Sequence, residues 1–259
     1  MSENANRNVI LIHGFLGSSQ NMQLLGDKLQ DSGLDVYYVK IPGQDPELES
    51  ELLFAYTYKD WLKSIKDQIE KILCEIKTKN SSSTTSYLTI IGFSMGALLS
   101  IILYKQINFK SNIKANLILL SPAFYINTNF FPSPFRSFFG VVSKQKYKMK
   151  YTNPGCNHPR WKNYYKPITR DIPYRAFFEL YKLSKISRYI FKKLSCRILI
   201  VHSKKDVLVP YEKIVKFSNS VKKNNCEIVL LEKSNHFIQL DFDYDKVCDE
   251  CIKFVEKTE

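Results

Sequence analysis

A serine flanked by glycines at a fixed spacing is the residue in this chain best suited to covalent chemistry. It stands in Gly92-Phe-Ser94-Met-Gly96, a G-x-S-x-G pattern. The run before it, Tyr87-Leu-Thr-Ile-Ile91, is aliphatic and β-branched and reads as a strand; the nearly apolar run after it, to Tyr104, has helical length. Strand, sharp turn and helix with a serine at the apex is the context in which the pattern forms a nucleophile elbow. Gly92 and Gly96 let strand and helix approach closely while Ser94 takes a strained backbone conformation. A plain turn serine is the alternative, and the flanking elements make it the weaker one.

A serine hydroxyl is a poor nucleophile until a base takes its proton. The chain has 4 histidines, so the search for that base is short. His158 lies in an aromatic, basic region. His202 ends a strand and reads as a buried or hydrogen-bonded core residue. His13 ends the first strand beside a glycine, where it braces the turn. His236 follows the last strand in the loop Glu232-Lys-Ser-Asn-His-Phe-Ile-Gln239. Functional groups of a parallel α/β sheet gather on loops at the carboxyl ends of its strands, so His236 is the expected base.

The third group must hold the imidazole in one tautomer and stabilise its cation. Asp206, in His202-Ser-Lys-Lys-Asp-Val-Leu-Val-Pro210, follows the penultimate strand on the same edge. A turn or helix-capping role would also suit it. Asp241 competes for the role, but it lies only five residues past His236. The chain order Ser, Asp, His favours Asp206. A tetrahedral intermediate needs two backbone N–H donors aimed at its oxyanion. Met95, just after the serine at a helix N-terminus, is one candidate. Phe15, in the turn His13-Gly-Phe15 after the first strand, is the other. A phosphate-cradling reading of Gly14 and Gly17 fails on spacing, because neither G-x-x-x-x-G-K-[ST] nor G-x-G-x-x-G is present.

The elements that must position these groups alternate along the chain. Strands are expected at residues 8–13, 35–41, 87–91, 115–120, 197–202 and 227–231, and most read as apolar on both faces. Helices are expected at 20–30, 57–79, 211–222 and 242–256, besides the one after Ser94. Trp61, Ile65, Ile69, Ile72 and Ile76 mark the inner stripe of the second of these. The pattern implies a mostly parallel six-stranded sheet covered by helices on both faces. Residues 122–193 break the alternation, which divides the chain into a core at 1–121 and 194–259 and an insert at 122–193.

The net charge of +13 is concentrated in that insert, which holds 15 Lys and Arg against 2 Asp and Glu, leaving the remainder neutral. It also holds 18 of the 35 aromatic residues, interleaved with the cations as in Lys144-Gln-Lys-Tyr-Lys-Met-Lys-Tyr151. Ala176 to Lys193 reads as a basic amphipathic helix. Such a surface suits an anionic lipid interface or an anionic substrate such as acyl-CoA. Nucleic acid is disfavoured, because no recognition motif accompanies the charge. No apolar run is long enough to span a bilayer. The N-terminus is polar without a signal-peptide core, so the expected location is cytoplasmic, with peripheral contact at the inner membrane surface. Cys248 and Cys251 have no neighbouring His or Cys pair to complete a zinc site, and no metal or cofactor is implied.

The His13-Gly-Phe turn, the Ser94 motif, the Asp206 loop and the Asn-His236 loop together resemble the α/β-hydrolase fold. More narrowly, the chain is similar to small bacterial carboxylesterases and monoacylglycerol lipases of the serine aminopeptidase S33, or hydrolase-4, group. The likeness covers about residues 8–121 and 196–256, and 122–193 occupies the place where that group inserts a cap. It departs after the second strand, where Pro42-Gly-Gln-Asp45 stands for the group's frequent Gly-His-Gly. The resemblance implies hydrolysis of carboxylic esters through Ser94, His236 and Asp206. A cap over Ser94 would offer an apolar acyl pocket, with Phe130, Phe131, Phe135, Phe177 and Phe178 as expected lining. Thioester cleavage or acyl transfer by the same triad, peptide hydrolysis, and ligand binding without catalysis stay open.

Overall fold

The computed structural model describes residues 7–45, 55–79, 85–109, 112–129, 131–142, 146–150, 155–164, 169–221 and 225–257. Six strands form one sheet: β1 (Arg7–Ile12), β2 (Asp35–Val39), β3 (Ser86–Phe93), β4 (Ile113–Leu120), β7 (Ile198–Ser203) and β8 (Cys226–Leu231). Their spatial order is β2-β1-β3-β4-β7-β8, and every pair is parallel. The expected six-stranded sheet is therefore present, and it is parallel throughout.

Side-chain alternation along the strands explains the layering. Val9 and Leu11 of β1 point to one face and Ile10 and Ile12 to the other, and all four are buried. The first pair joins a cluster with Met22, Leu25 and Leu29 of α1 (Gln20–Asp31) and Val247, Cys248 and Cys251 of α7 (Tyr244–Glu256). The second pair joins a larger cluster with the inner stripe of α2 (Tyr58–Lys79), the apolar α3 (Met95–Gln106) and Ile214 of α6 (Tyr211–Val221). Strands buried on both faces read as continuous apolar runs, which is the pattern seen in the sequence. No helix among the described residues is long and apolar enough to cross a membrane.

The chain passes from β1 through α1 to the edge strand β2 and then crosses back over β1 through α2 to β3, so strand order reverses at β1. Ligands of such sheets bind where this reversal opens a crevice at the carboxyl ends. Ile12 pairs with Gly92, so β1 and β3 end level and their following turns lie side by side.

Residues 122–193 enter after β4 and return at β7. They carry α4 (Pro134–Val142), an antiparallel ribbon of β5 (Lys146–Lys150) and β6 (Thr169–Pro173), a 3₁₀ turn at Pro159–Asn163, and α5 (Tyr174–Phe191). α5 packs against α3 and α2, and buried Glu179 of α5 accepts the N–H of Tyr58 at the start of α2 (3.2 Å). A second limb reaches the opposite side of the core: the Arg160 guanidinium lies 5.0 Å from the Tyr244 ring centroid, and Asn21 donates to the Tyr164 carbonyl at 2.6 Å.

Candidate active site

Ser94 sits between the end of β3 and the first residue of α3 with φ 53° and ψ −110°, a backbone conformation that costs an L-residue free energy. The surroundings enforce it. A Cβ on Gly96 would lie 2.3 Å from the Ile12 carbonyl oxygen, and one on Gly92 would lie 2.5 Å from the Gly96 carbonyl oxygen. Strand, turn and helix are packed too closely for any side chain at either glycine. The strained turn lifts the Ser94 hydroxyl to the sheet edge, where it is 2.9 Å from His236 Nε2.

His236 Nδ1 is 2.7 Å from Asp206 Oδ2. The other oxygen of Asp206 accepts the N–H groups of Leu208 and Val209, each at 2.9 Å. Asp206 is thus a turn-capping carboxylate and a histidine partner at once, one oxygen for each. His202 lies fully buried behind it, with Nε2 3.0 Å from the Val209 carbonyl and 3.5 Å from Asp206 Oδ2. Burial pushes the His202 pKa down, so the imidazole behind the carboxylate is neutral. Ser94, His236 and Asp206 are all nearly or fully shielded from solvent, which strengthens each electrostatic contact among them.

Asp241, the competing acid, has a different task. It accepts N–H groups from Asn235 (2.7 Å), Asn157 (3.0 Å), His158 (2.9 Å) and Phe242 (2.9 Å). The carboxylate is buried and ties the insert's 155–158 segment to the loop carrying His236. That loop is held elsewhere too: Ser121 Oγ donates to the His236 carbonyl (2.9 Å), Phe237 N–H donates to the Gly155 carbonyl (3.0 Å), and Ser203 Oγ donates to the Ser234 carbonyl.

The two candidate oxyanion donors flank the serine. Met95 opens α3, and the first N–H groups of a helix have no intrahelical acceptor. Phe15 lines the same cavity as Ser94. Its turn is braced by two contacts. His13 Nε2 accepts the Ile41 N–H at 3.2 Å, and burial lowers the pKa of this ring to about 4, so it stays a neutral acceptor. Gln44 Oε1 accepts the N–H of Leu16 at 2.8 Å, and Leu16 itself has φ 53°. Gln44 is fully buried, and in the sequence it carries no signal beyond the departure from Gly-His-Gly in that loop.

The cavity over Ser94 measures about 470 Å³ with open solvent at its mouth included, and its wall is mainly apolar. Phe131 and Leu180 of the insert, Leu208, and Phe237 line it together with Phe15. Phe177 lies behind, its ring centroid 5.8 Å from those of both Phe15 and Phe131. Phe135 and Phe178 do not line it. Phe135 is 73% exposed on α4, and Phe178 stacks on Phe138 (5.8 Å) at the outer surface. Phe130 lies outside the described residues.

Comparison with solved structures finds the same architecture under low sequence identity. A soluble variant of monoglyceride lipase from Saccharomyces cerevisiae, in complex with a substrate analogue, superposes with a TM-score of 0.81 at 17% identity, covering 98% of this chain and 87% of that one. The metagenome-derived lipolytic enzymes LipS and LipT are represented at TM-score 0.75 and 20% identity, with 98% and 95% covered. Monoacylglycerol lipase of Paleococcus ferrophilus gives 0.72 and 16%, with 96% and 93% covered. No curated protein sequence matches. The parallel sheet, its strand order and these superpositions show the α/β-hydrolase fold, and the family model for Hydrolase_4, serine aminopeptidase S33, matches residues 3–243, so the chain belongs to that family.

Proposed function

We propose that this protein is a serine hydrolase of carboxylic esters with an apolar acyl chain. The observation that carries the reading is the unbroken series Ser94 Oγ, His236 Nε2, His236 Nδ1 and Asp206 Oδ2, with contacts of 2.9 and 2.7 Å at its two ends. In the first step His236 Nε2 takes the Ser94 proton as Oγ attacks the ester carbonyl. Asp206 accepts the Nδ1–H and stabilises the imidazolium. The N–H groups of Phe15 and Met95 receive the oxyanion. His236 then gives its proton to the leaving alkoxide, and an acyl-Ser94 ester remains. Water, deprotonated by His236, releases the acid and restores the serine. In this reading residues 122–193 are a cap, since Phe131 and Leu180 close the cavity over Ser94.

The solved relatives named as lipases and as an esterase support ester substrates. The cap's excess of cations supports contact with an anionic lipid surface or an anionic substrate, and so a peripheral site at a membrane. A panel of nitrophenyl esters of increasing acyl length, monoacylglycerol, acyl-CoA and aminoacyl-naphthylamides tests the reading through kcat/KM. Esters should lead. Dominance of acyl-CoA or of the amides would replace esterase by thioesterase or peptidase.

A further inference from the structure

Helix α4 is built inside out. Its buried positions are Ser137 and Gly140, and a Cβ on Gly140 would lie 2.2 Å from the Tyr174 ring of α5. The large residues face the other way: Phe135, Phe138, Phe139 and Val142 are 73, 50, 53 and 71% exposed. Their spacing, i, i+3, i+4 and i+7, puts them on one face of the helix. Phe135 and Phe138 each contact Phe139, with ring centroids at 4.6 and 5.8 Å, so the face is a continuous apolar patch. In a chain that folds in water such a face belongs against the core, and a patch of this kind on the surface marks an interaction site.

The patch runs directly into charge. Phe138 meets Phe178 of α5, and Lys182 Nζ lies 4.4 Å from the Phe178 ring centroid. Further along, Lys185 and Arg188 of α5 and Lys192 just past its end line a broad groove with Lys213 and Lys216 of α6, and no Asp or Glu is among its described lining residues. Apolar surface therefore adjoins cationic surface on one side of the protein.

We propose that this side docks on a bilayer containing anionic phospholipid, with the outer face of α4 seated among the acyl chains and the α5–α6 cations against the phosphates. Charge complementarity selects this occupant. A bilayer presents an apolar layer beneath an anionic one, as α4 and α5 require, whereas a second copy would bring together two inserts that each carry 15 cations and 2 anions. The inference extends the reading of the insert as an anionic contact. It does not depend on the Ser94 chemistry.

The test is co-sedimentation of the full chain with phosphatidylcholine vesicles, with and without phosphatidylglycerol, at low and high salt. Wild type and Ser94→Ala should bind equally, only to the anionic vesicles, and less at high salt. Each cation removed should weaken partitioning about fivefold. Phe135→Ser with Phe139→Ser should lower binding more than tenfold at unchanged melting temperature, since both side chains are exposed. Lys185→Glu with Lys192→Glu should also lower it. Undiminished binding by the double-serine variant would overturn the seating of α4, and absence of binding to anionic vesicles would overturn the proposal as a whole. Self-association in sedimentation velocity that the double-serine variant abolishes would make a second copy the occupant instead. Vesicle binding without any esterase activity would leave this inference standing and remove the catalytic one.

Discussion

Asp241 Oδ2 accepts the backbone N–H of Asn235 at 2.7 Å, one residue before the histidine that contacts Ser94. The two aspartates near His236 therefore divide the work: Asp206 meets the ring, and Asp241 fixes the backbone that carries it. Asp206→Asn should lower kcat by about 10⁴-fold with little change in melting temperature, because a favoured Nδ1–H tautomer is lost while the turn survives. Asp241→Asn should lower the melting temperature and leave most of kcat. Steady-state kinetics and thermal melts on both variants decide it, and the reverse pattern would exchange the two roles.

Gln44 supports the turn that offers Phe15. Gln44→Met keeps the volume and removes the acceptor for Leu16 N–H, leaving a buried donor unsatisfied at a cost of about 1–3 kcal/mol. Thermal unfolding should show that loss, and kcat should fall more than KM rises if the Phe15 N–H is displaced from the oxyanion. An unchanged kcat would detach Gln44 from the reaction.

Gly96 is closed against β1. Gly96→Ala places a methyl 2.3 Å from a backbone oxygen that flexible side chains cannot yield around. The variant should fold poorly or lose more than 3 kcal/mol, above the usual range for a single substitution. A melting temperature close to wild type would mean that the elbow is looser than its packing implies.

Buried neutral histidines make stability fall in acid. The His13 pKa is lowered from 6.5 to about 4, and that of His202 is lowered as well, both mainly by burial. The folded state resists protons that the unfolded chain accepts, so this contribution is complete above 6.5 and is lost as pH drops toward the folded values. For His13 the loss amounts to about 3 kcal/mol by pH 4. Urea unfolding from pH 7 to 4 should show the decline, and His13→Gln should flatten it. A wild-type profile that is level across this window would contradict the assignment.

Much of this was legible from residue order and type. Strands buried on both faces appear as apolar runs such as Val9 to Ile12, and a G-x-S-x-G between strand and helix has few other uses. His202 was recognisable as a core residue and His13 as a brace, because each ends a buried strand. Other features depend on tertiary geometry. Gln44 sits in a turn without periodicity, and only the folded chain brings it to Leu16, 28 residues away. The stripe Phe135, Phe138, Phe139 and Val142 has the spacing of a core face, and sequence alone does not say that Tyr174 leaves room only for Gly140 and Ser137. The alternation in Lys146-Tyr-Lys-Met-Lys150 carried a strand signal that its charge concealed; that segment is β5. Lys144, which opens that basic run, lies outside the described residues.

In the proposed chemistry Ser94 is the nucleophile, activated through His236. Reaction of the full chain with a fluorophosphonate, followed by peptide mass analysis, tests it most directly. One adduct is expected, on Ser94, abolished in Ser94→Ala and slowed by at least about a hundredfold in His236→Ala, because the base no longer takes the proton. No adduct, an adduct on another serine, or labelling of Ser94 at an undiminished rate without His236 would contradict it.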